Sequence, residues 1–474
     1  MKALIENRFG PIAVVLIALA VLFGLAHLTT HITGPAPQAK AAPPRARVAV
    51  QSVTAVCPDP ARSTISVLTP AARGTGSVTV AEQGGKGKPS VIDRPGPLWQ
   101  KEVDRSGPVL VTGAGTPAAG LEAAQTTTVT TGGGRGLSGV RCVEPSSSTW
   151  LVGPGPAAAH DVRLHLANAD SAVATVELAI YAGEGPVVGD HGLALAPGEH
   201  RSVRLADLAP SPLVMAVEVR TRTGRVAVAA RADLGDGRGV DWLPAAAPPA
   251  TKVVVPGLPG GGGRRELYVA APGETDVVVG VKAVTEDGSY ALKGRENVEV
   301  PAGSVATLDV STGIGGQAAA LVLTAPVPVV AGVVVTGPGE KPDVAFSAGA
   351  PPIDLGSSVA DNRSGKGRTT RLILTAPDRA ARVRVQVVPS KGTAPAPVDA
   401  DVPAARTRQV KLPKIEGSYG LVITPLPGSG PVYGGRVLEE RTEDGPLLSV
   451  QPLALGRAWT LVPPMTDSAA TVLP

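Results

Sequence analysis

Aromatic side chains are scarce in this 474-residue chain, which has three Phe, five Tyr and four Trp. A protein that grips single-stranded nucleic acid stacks bases on aromatic rings, and this sequence offers few. No block of five or more like charges occurs. The net charge of +4, from 44 basic and 40 acidic residues, leaves no electrostatic footprint for nucleic acid. No G-x-S-x-G, no G-x-x-x-x-G-K-[ST] and no H-E-x-x-H is present, so the common hydrolase, phosphate-binding and zinc-protease signatures are excluded. Cysteine is limited to Cys57 and Cys142. Two lone cysteines with no neighbouring ligands do not make a metal site.

Gly and Pro are abundant instead, 58 and 47 residues. With 43% hydrophobic residues, dominated by Val and Ala, this composition reads as turn-rich β-structure with enough apolar surface for cores. The length allows three to five domains. Residues 11–28, PIAVVLIALAVLFGLAHL, carry no charge. Extended to Ile32, the run is long enough to span a bilayer. Lys2 and Arg8 precede it, which predicts a short cytoplasmic N-terminus over 1–10, a signal anchor over 11–32 and an exported remainder. Ala39-Lys40-Ala41 offers a rival cleavage site. A Pro/Ala-rich linker follows over 33–50. In an exported chain the two cysteines are expected to form a disulfide, Cys57 to Cys142.

Beyond residue 50 the apolar pattern repeats. In VRLHLANADSAVATVELAIYAGEG, residues 162–185, apolar side chains alternate around a turn at Asn168–Ser171. Leu164 recurs as Leu267 and Leu372, and Val226 as Val329 and Val432, at offsets of 103 to 105 residues. Such a period predicts tandem modules. The boundaries are a divergent, disulfide-pinned module at 51–153 and three further modules at 154–256, 257–360 and 361–474. Short strands with one apolar face must pair as two sheets. The expected fold is therefore all-β, as tandem immunoglobulin-like β-sandwich modules after one transmembrane helix, stacked into a rod of roughly 100 Å or more.

Candidate chemistry is thin. His160, His165, His191 and His200 raise a zinc site, but the alternation around His165 places it facing solvent. Asp233, Asp236 and Asp241 raise a calcium site without EF-hand spacing. Gly260–Gly263 with Arg264 and Arg265 suits an anion or, more simply, a flexible linker between modules. Trp150 and Trp242 suit packing at module boundaries better than a sugar platform; Trp99 and Trp459 complete the set. Glu439, Glu440, Glu443 and Asp444 are the carboxylates whose convergence in a pocket would suggest an enzyme. Asn362-Arg363-Ser364 is a lone glycosylation sequon. No catalytic, cofactor or metal residues are assigned.

Around Gly136-Leu137-Ser138-Gly139-Val140-Arg141-Cys142, Pro145 and Trp150-Leu151-Val152-Gly153, and at Cys57-Pro58, the chain resembles membrane-anchored extracytoplasmic proteins of actinobacteria that carry a domain of unknown function. The resemblance implies a cell-envelope setting and no catalytic residues. The expectation is a non-enzymatic, single-pass envelope protein, its C-terminal region extracytoplasmic, presenting rigid modules to an envelope protein or a wall polymer. Strand addition at an exposed sheet edge is one contact mode. The alternative is an array of modules recognising a cell-wall polysaccharide.

Overall fold

A computed structural model describes residues 10–32 and 46–462, apart from 70–73, 86, 95 and 190. All but Gly10 of the expected cytoplasmic segment 1–10, and most of the linker 33–50, lie outside the described residues. The chain divides into two compact units, 49–460 and the remainder. In the latter, Gly10–Ile32 is an α-helix without a charged residue. Among the described residues, no helix is long and apolar enough to cross a membrane.

Unit 49–460 is all-β. Its strands fall into four sandwiches that share one strand order. In the first, eight strands run Ser52–Cys57, Ser63–Leu68, Gly76–Glu82, Ser90–Val91, Trp99–Val103, Val109–Gly115, Glu122–Val129 and Gly136–Arg141. The first, sixth, third and fourth form one antiparallel sheet; the fifth, second, seventh and eighth form the other. The second sandwich begins at Ser148–Pro154, the third at Ala250–Leu258 and the fourth at Ser357–Ser364, each with the same order. In the third, the sixth and seventh strands merge into one 18-residue strand, Ala319–Thr336, that serves both sheets. The immunoglobulin order pairs consecutive first and second strands within one sheet. Here those strands lie in opposite sheets, so the modules are sandwiches but not of immunoglobulin topology.

The expected rod does not form. Alternation gives each sheet two faces, and here the outer face as well as the inner carries covered apolar residues. Leu267, Val269 and Ala271 face the core of the third sandwich, while Tyr268 and Ala270 on the same strand join Trp150, Val152 and Ala216 of the second. Ile373, Val437 and Val450 of the fourth pack into the third. Leu68, Leu98 and Ala124 of the first meet Ala360 of the fourth. Val56 of the first meets Ala167 and Ala227 of the second. The first sheet of each sandwich thus packs on the second sheet of the next, and the fourth returns to the first. The result is a closed ring of eight stacked sheets.

Glycine permits the close approach. A Cβ on Gly435 would sit 2.6 Å from Gly257 Cα across the third and fourth sandwiches, and one on Gly420 would meet Leu68 at 2.9 Å across the fourth and first. The ring is latched where its ends meet. Val50 N–H donates to Ala458 O at 3.2 Å. Buried Arg457 donates to Cys142 O at 3.1 Å and pairs with Glu144 and, at 3.9 Å, with Glu122. Cys142 is disulfide-bonded to Cys57.

Two outcomes test this closure. Arg457→Met leaves Glu122 buried with, among the described residues, Arg141 as its one remaining ion-pair partner, and should lower stability by about 3 kcal/mol in urea unfolding. Replacing both cysteines by Ala removes a cross-link between residues 85 apart and should cost about 4–5 kcal/mol by the chain-entropy argument.

Candidate functional site at the ring axis

The eighth strands, Gly136–Arg141, Val240–Leu243, Val344–Ala348 and Gly445–Pro452, run at the centre, each touching the next around the ring. They are edge strands, so their outward N–H and C=O groups need partners. Two carboxylates supply them. Asp343 Oδ2 accepts from Leu448 N–H at 2.8 Å and Leu137 N–H at 3.2 Å, and its Oδ1 from Val344 N–H at 2.9 Å. Asp241 Oδ1 accepts from Gly139 and Trp242 N–H, both at 2.8 Å. One Asp on the third sandwich therefore ties the first to the fourth. Arg135 extends the tie: its guanidinium donates to Lys341 O and Pro446 O, each at 3.2 Å.

Burial sets the charge state of this hub. It pushes the Asp343 carboxyl up to about 6, despite its three amide donors and nearby Arg135. It holds Asp241 well above the usual carboxylate range, with the like charge of Asp343 adding to the effect. At Asp361, also buried, the same penalty is outweighed by Arg363 and Arg436, and the carboxyl is held low. Arg436 is fully buried and donates to Gln451 Oε1 at 2.8 Å.

Above the hub the axis opens into a cavity of about 110 Å³. All four sandwiches line it, among them Val140, Trp242, Pro244, Pro351, Gln451 and Leu453. The wall is mainly apolar, with Gln451 and Arg141 as its polar residues. It holds no carboxylate, His, Ser or Cys. Its chemistry is the seating of an apolar group beside a few hydrogen-bond donors.

The family comparison matches residues 99–413, which is 315 of the 474 residues, to a family of unknown function. The chain belongs to DUF5719. No curated protein matches it. The DUF5719 segment starts at the fifth strand of the first sandwich and ends just after the fifth strand of the fourth. It therefore contains Asp241 and Asp343, whereas Arg436, Gln451 and Arg457 of the closing strands lie beyond it.

The residues singled out from the sequence fall in different places. His165 does not face open solvent: its ring lies 5.1 Å from buried Trp242, and burial, with Arg231 and Arg163 nearby, lowers it to about 4 against the pull of Asp59. His165 and His200 line a cleft between the first and second sandwiches; His160 and His191 do not. Among the described residues no group of three or more His, Cys, Asp or Glu could hold a metal ion. Asp233, Asp236 and Asp241 do not converge, because Asp241 turns into the hub while Asp233 lines the cleft. Gly260–Gly263 lies inside the third sandwich, between its first and second strands, and is no linker. Arg265 is buried there, donating to the carbonyls of Pro259, Gly262, Arg264 and Thr336. That cage of carbonyl acceptors leaves no place for an anion. Trp150 is buried and stacks on Tyr181 at 5.7 Å. Trp99 is half-buried against the first core and Trp459 is 40% exposed.

Glu439, Glu440 and Asp444 are taken up by Arg371, Arg368 and Lys341, and Glu443 is exposed, so no acidic pocket forms. The sequon residue Asn362 is buried, its amide donating to Val359 O and Tyr419 O. The hub itself was missed. Its only sequence signal is a pair of acidic residues beside apolar runs, Asp241 in VDWL and Asp343 in PDVAF.

Asp343→Ala orphans three buried N–H groups and should cost about 3 kcal/mol or more. The pH dependence has a definite sign. With the folded pKa raised above the unfolded value, the Asp343 contribution is fully present below pH ~4 and is lost as pH rises through about 6. The stability margin of wild type over Asp343→Asn should shrink across that window, read by urea unfolding at pH 4 and pH 7.

Proposed function

We propose that this chain is a non-enzymatic, membrane-anchored envelope protein whose ring serves as a binding platform, docking an apolar side chain of an extracytoplasmic partner protein in the axial cavity. The observation that carries the reading is the convergence of all four sandwiches on one mainly apolar opening. Elsewhere most apolar sheet faces are consumed by packing. The Cys57–Cys142 disulfide supports an oxidising compartment. The anchor is supported by the uncharged helix Gly10–Ile32, on which eleven large apolar side chains are at least 55% exposed, a surface suited to lipid. Recognition of a wall polysaccharide is the second reading, favoured by the polar cleft that holds His165 and His200.

A photoreactive residue at Ala454, on the cavity wall, should capture a discrete envelope protein in intact cells. Ala245→Trp, which fills the opening from its exposed rim, should abolish that product. Capture indifferent to Ala245→Trp, or no capture, contradicts the platform. Deleting residues 1–32 should release the chain from carbonate-washed membranes.

A further inference from the structure

The four interfaces of the ring are built on one plan, and at two of them the apolar filling gives way to a polar cleft: Thr64, Gln100, Glu102, Arg363 and Arg368 line one of about 410 Å³ between the first and fourth sandwiches, and a larger one lies between the first and second. At three interfaces the outer face of the second sheet carries a covered apolar patch. Tyr268, Ala270, Val330 and Val334 fill it in the third sandwich, Ile373 and Val437 in the fourth, Leu68 and Ala124 in the first. In the second sandwich Ala167 and Ala227 pack against Val56 of the first at one end of that face, and Ala229 and Trp242 pack against its Val140. The rest of it carries Asp161, Arg163, His165, Ser202, Arg231 and Asp233. Facing them across the gap are Pro58, Asp59, Ser106 and Gly107 of the first sandwich. The gap is a cleft of about 470 Å³, within the ~300–1,000 Å³ span of ligand-binding clefts.

The register makes this arrangement costly. Asp161 lies directly opposite Asp233, and Arg163 directly opposite both Arg231 and Arg204. Like charges paired across strands destabilise a sheet. At the positions of His165 and Arg231 the sister sheets carry Tyr268 and Val334 in the third sandwich and Ile373 and Val437 in the fourth, so the fold does not require polar groups there. Local rules broken without a compensating contact mark functional sites. Part of the set is neutralised, since Asp161 binds Arg163 at 3.0 Å and Arg204 at 3.2 Å. Among the described residues Arg231 has no ion-pair partner, so its donors remain open to the cleft.

The wall is fixed rather than loose. Asp59 follows Cys57–Pro58 by one residue at the disulfide, and its Oδ1 accepts from Gly107 N–H at 3.2 Å. His165 is seated on Trp242. One end is nearly closed, since a Cβ on Gly107 would come within 3.8 Å of His200.

Charge selects the ligand class. Asp59, Asp161 and Asp233 are balanced by Arg163, Arg231 and the adjoining Arg204, so the cleft is close to neutral. It is nonetheless dense in both donors and acceptors. An anion or a cation would meet groups of its own sign at short range. A neutral polyhydroxyl ligand can donate to the carboxylates and accept from the guanidiniums at once. We infer that the cleft between the first and second sandwiches is a saccharide site that takes a neutral oligosaccharide of roughly two or three rings. This deepens the polysaccharide reading by giving it a site, and it stands apart from the axial cavity.

The test is calorimetric titration of the full chain in detergent with neutral trisaccharides (glucose, mannose, galactose and N-acetylglucosamine oligomers), with inorganic phosphate as the charged probe. At least one trisaccharide should bind saturably. Asp233→Asn and Arg231→Gln should each weaken it about tenfold. Ser202→Trp, on an exposed edge strand, should abolish it by filling the cleft while leaving the thermal midpoint unchanged. Ala245→Trp at the axis should leave binding intact. The inference is overturned if no neutral trisaccharide binds, if phosphate alone binds, or if binding survives all three cleft variants. None of these results bears on capture of a protein partner at the axis.

Discussion

Everything in this molecule follows from sheets that are apolar on both faces. A sandwich buries one face of each of its sheets and is complete when the outer faces are wet. Here they are not wet. Val253 and Val255 look into their own core while Val254, between them, looks into the next sandwich. Such a unit cannot be stable alone in water, because about 25 cal/mol would be forfeited for every Å² of its outer apolar face left exposed. Each sandwich must have a neighbour on both sides. With four units and one repeated interface, the arrangement that leaves no uncovered end is a ring. Arg457 and the disulfide loop sit at the seam because the chain must close there without a covalent continuation.

Closure creates a second requirement at the centre. Four edge strands brought together would leave backbone amides stranded in a dry interior, at a cost of about 1–3 kcal/mol each. Asp241 and Asp343 resolve this with carboxylates that serve several strands at once. Their raised pKa values follow from the same burial that makes them necessary. Around them Arg436 Nε and Nη1, Asp241 Oδ2 and Ser449 Oγ lie buried without hydrogen-bond partners among the described residues, an arrangement suited to ordered water. The cavity above this hub is where the loops of all four sandwiches stop converging, and the cleft between the first and second is where the repeated interface is left unfilled. Both candidate sites are thus defined against the rule that builds the ring.

The sequence made the strands legible but not their assembly. Leu164, Leu267 and Leu372 recur at the same step of the pattern, and all three fall on the second strand of their sandwiches. Alternation and turn residues suffice for that, as does cysteine chemistry for the disulfide. The ring was written less plainly, in runs such as Val253–Val255 and Val344–Ala348, where alternation fails because neither face meets solvent. Read as ordinary strands, those runs suggest a core; read as two-faced strands, they demand a neighbour. The strand order departs from the immunoglobulin type because it is decided by which strands pair, a long-range choice that local spacing does not carry. The cleft was illegible for a related reason. His165 alternates with leucines and reads as solvent-facing, and only the register places Asp161 opposite Asp233 and the first sandwich over both.

The most direct test of closure is small-angle X-ray scattering of the chain freed of its first 45 residues. A closed ring of the 412 residues from 49 to 460 should give a radius of gyration of about 22 Å, the value for a compact body of that size. Four sandwiches strung end to end would give about 30 Å or more, with the scattering profile of a rod. The first result is what two-faced sheets require, and the second would show that their outer faces are not buried against one another.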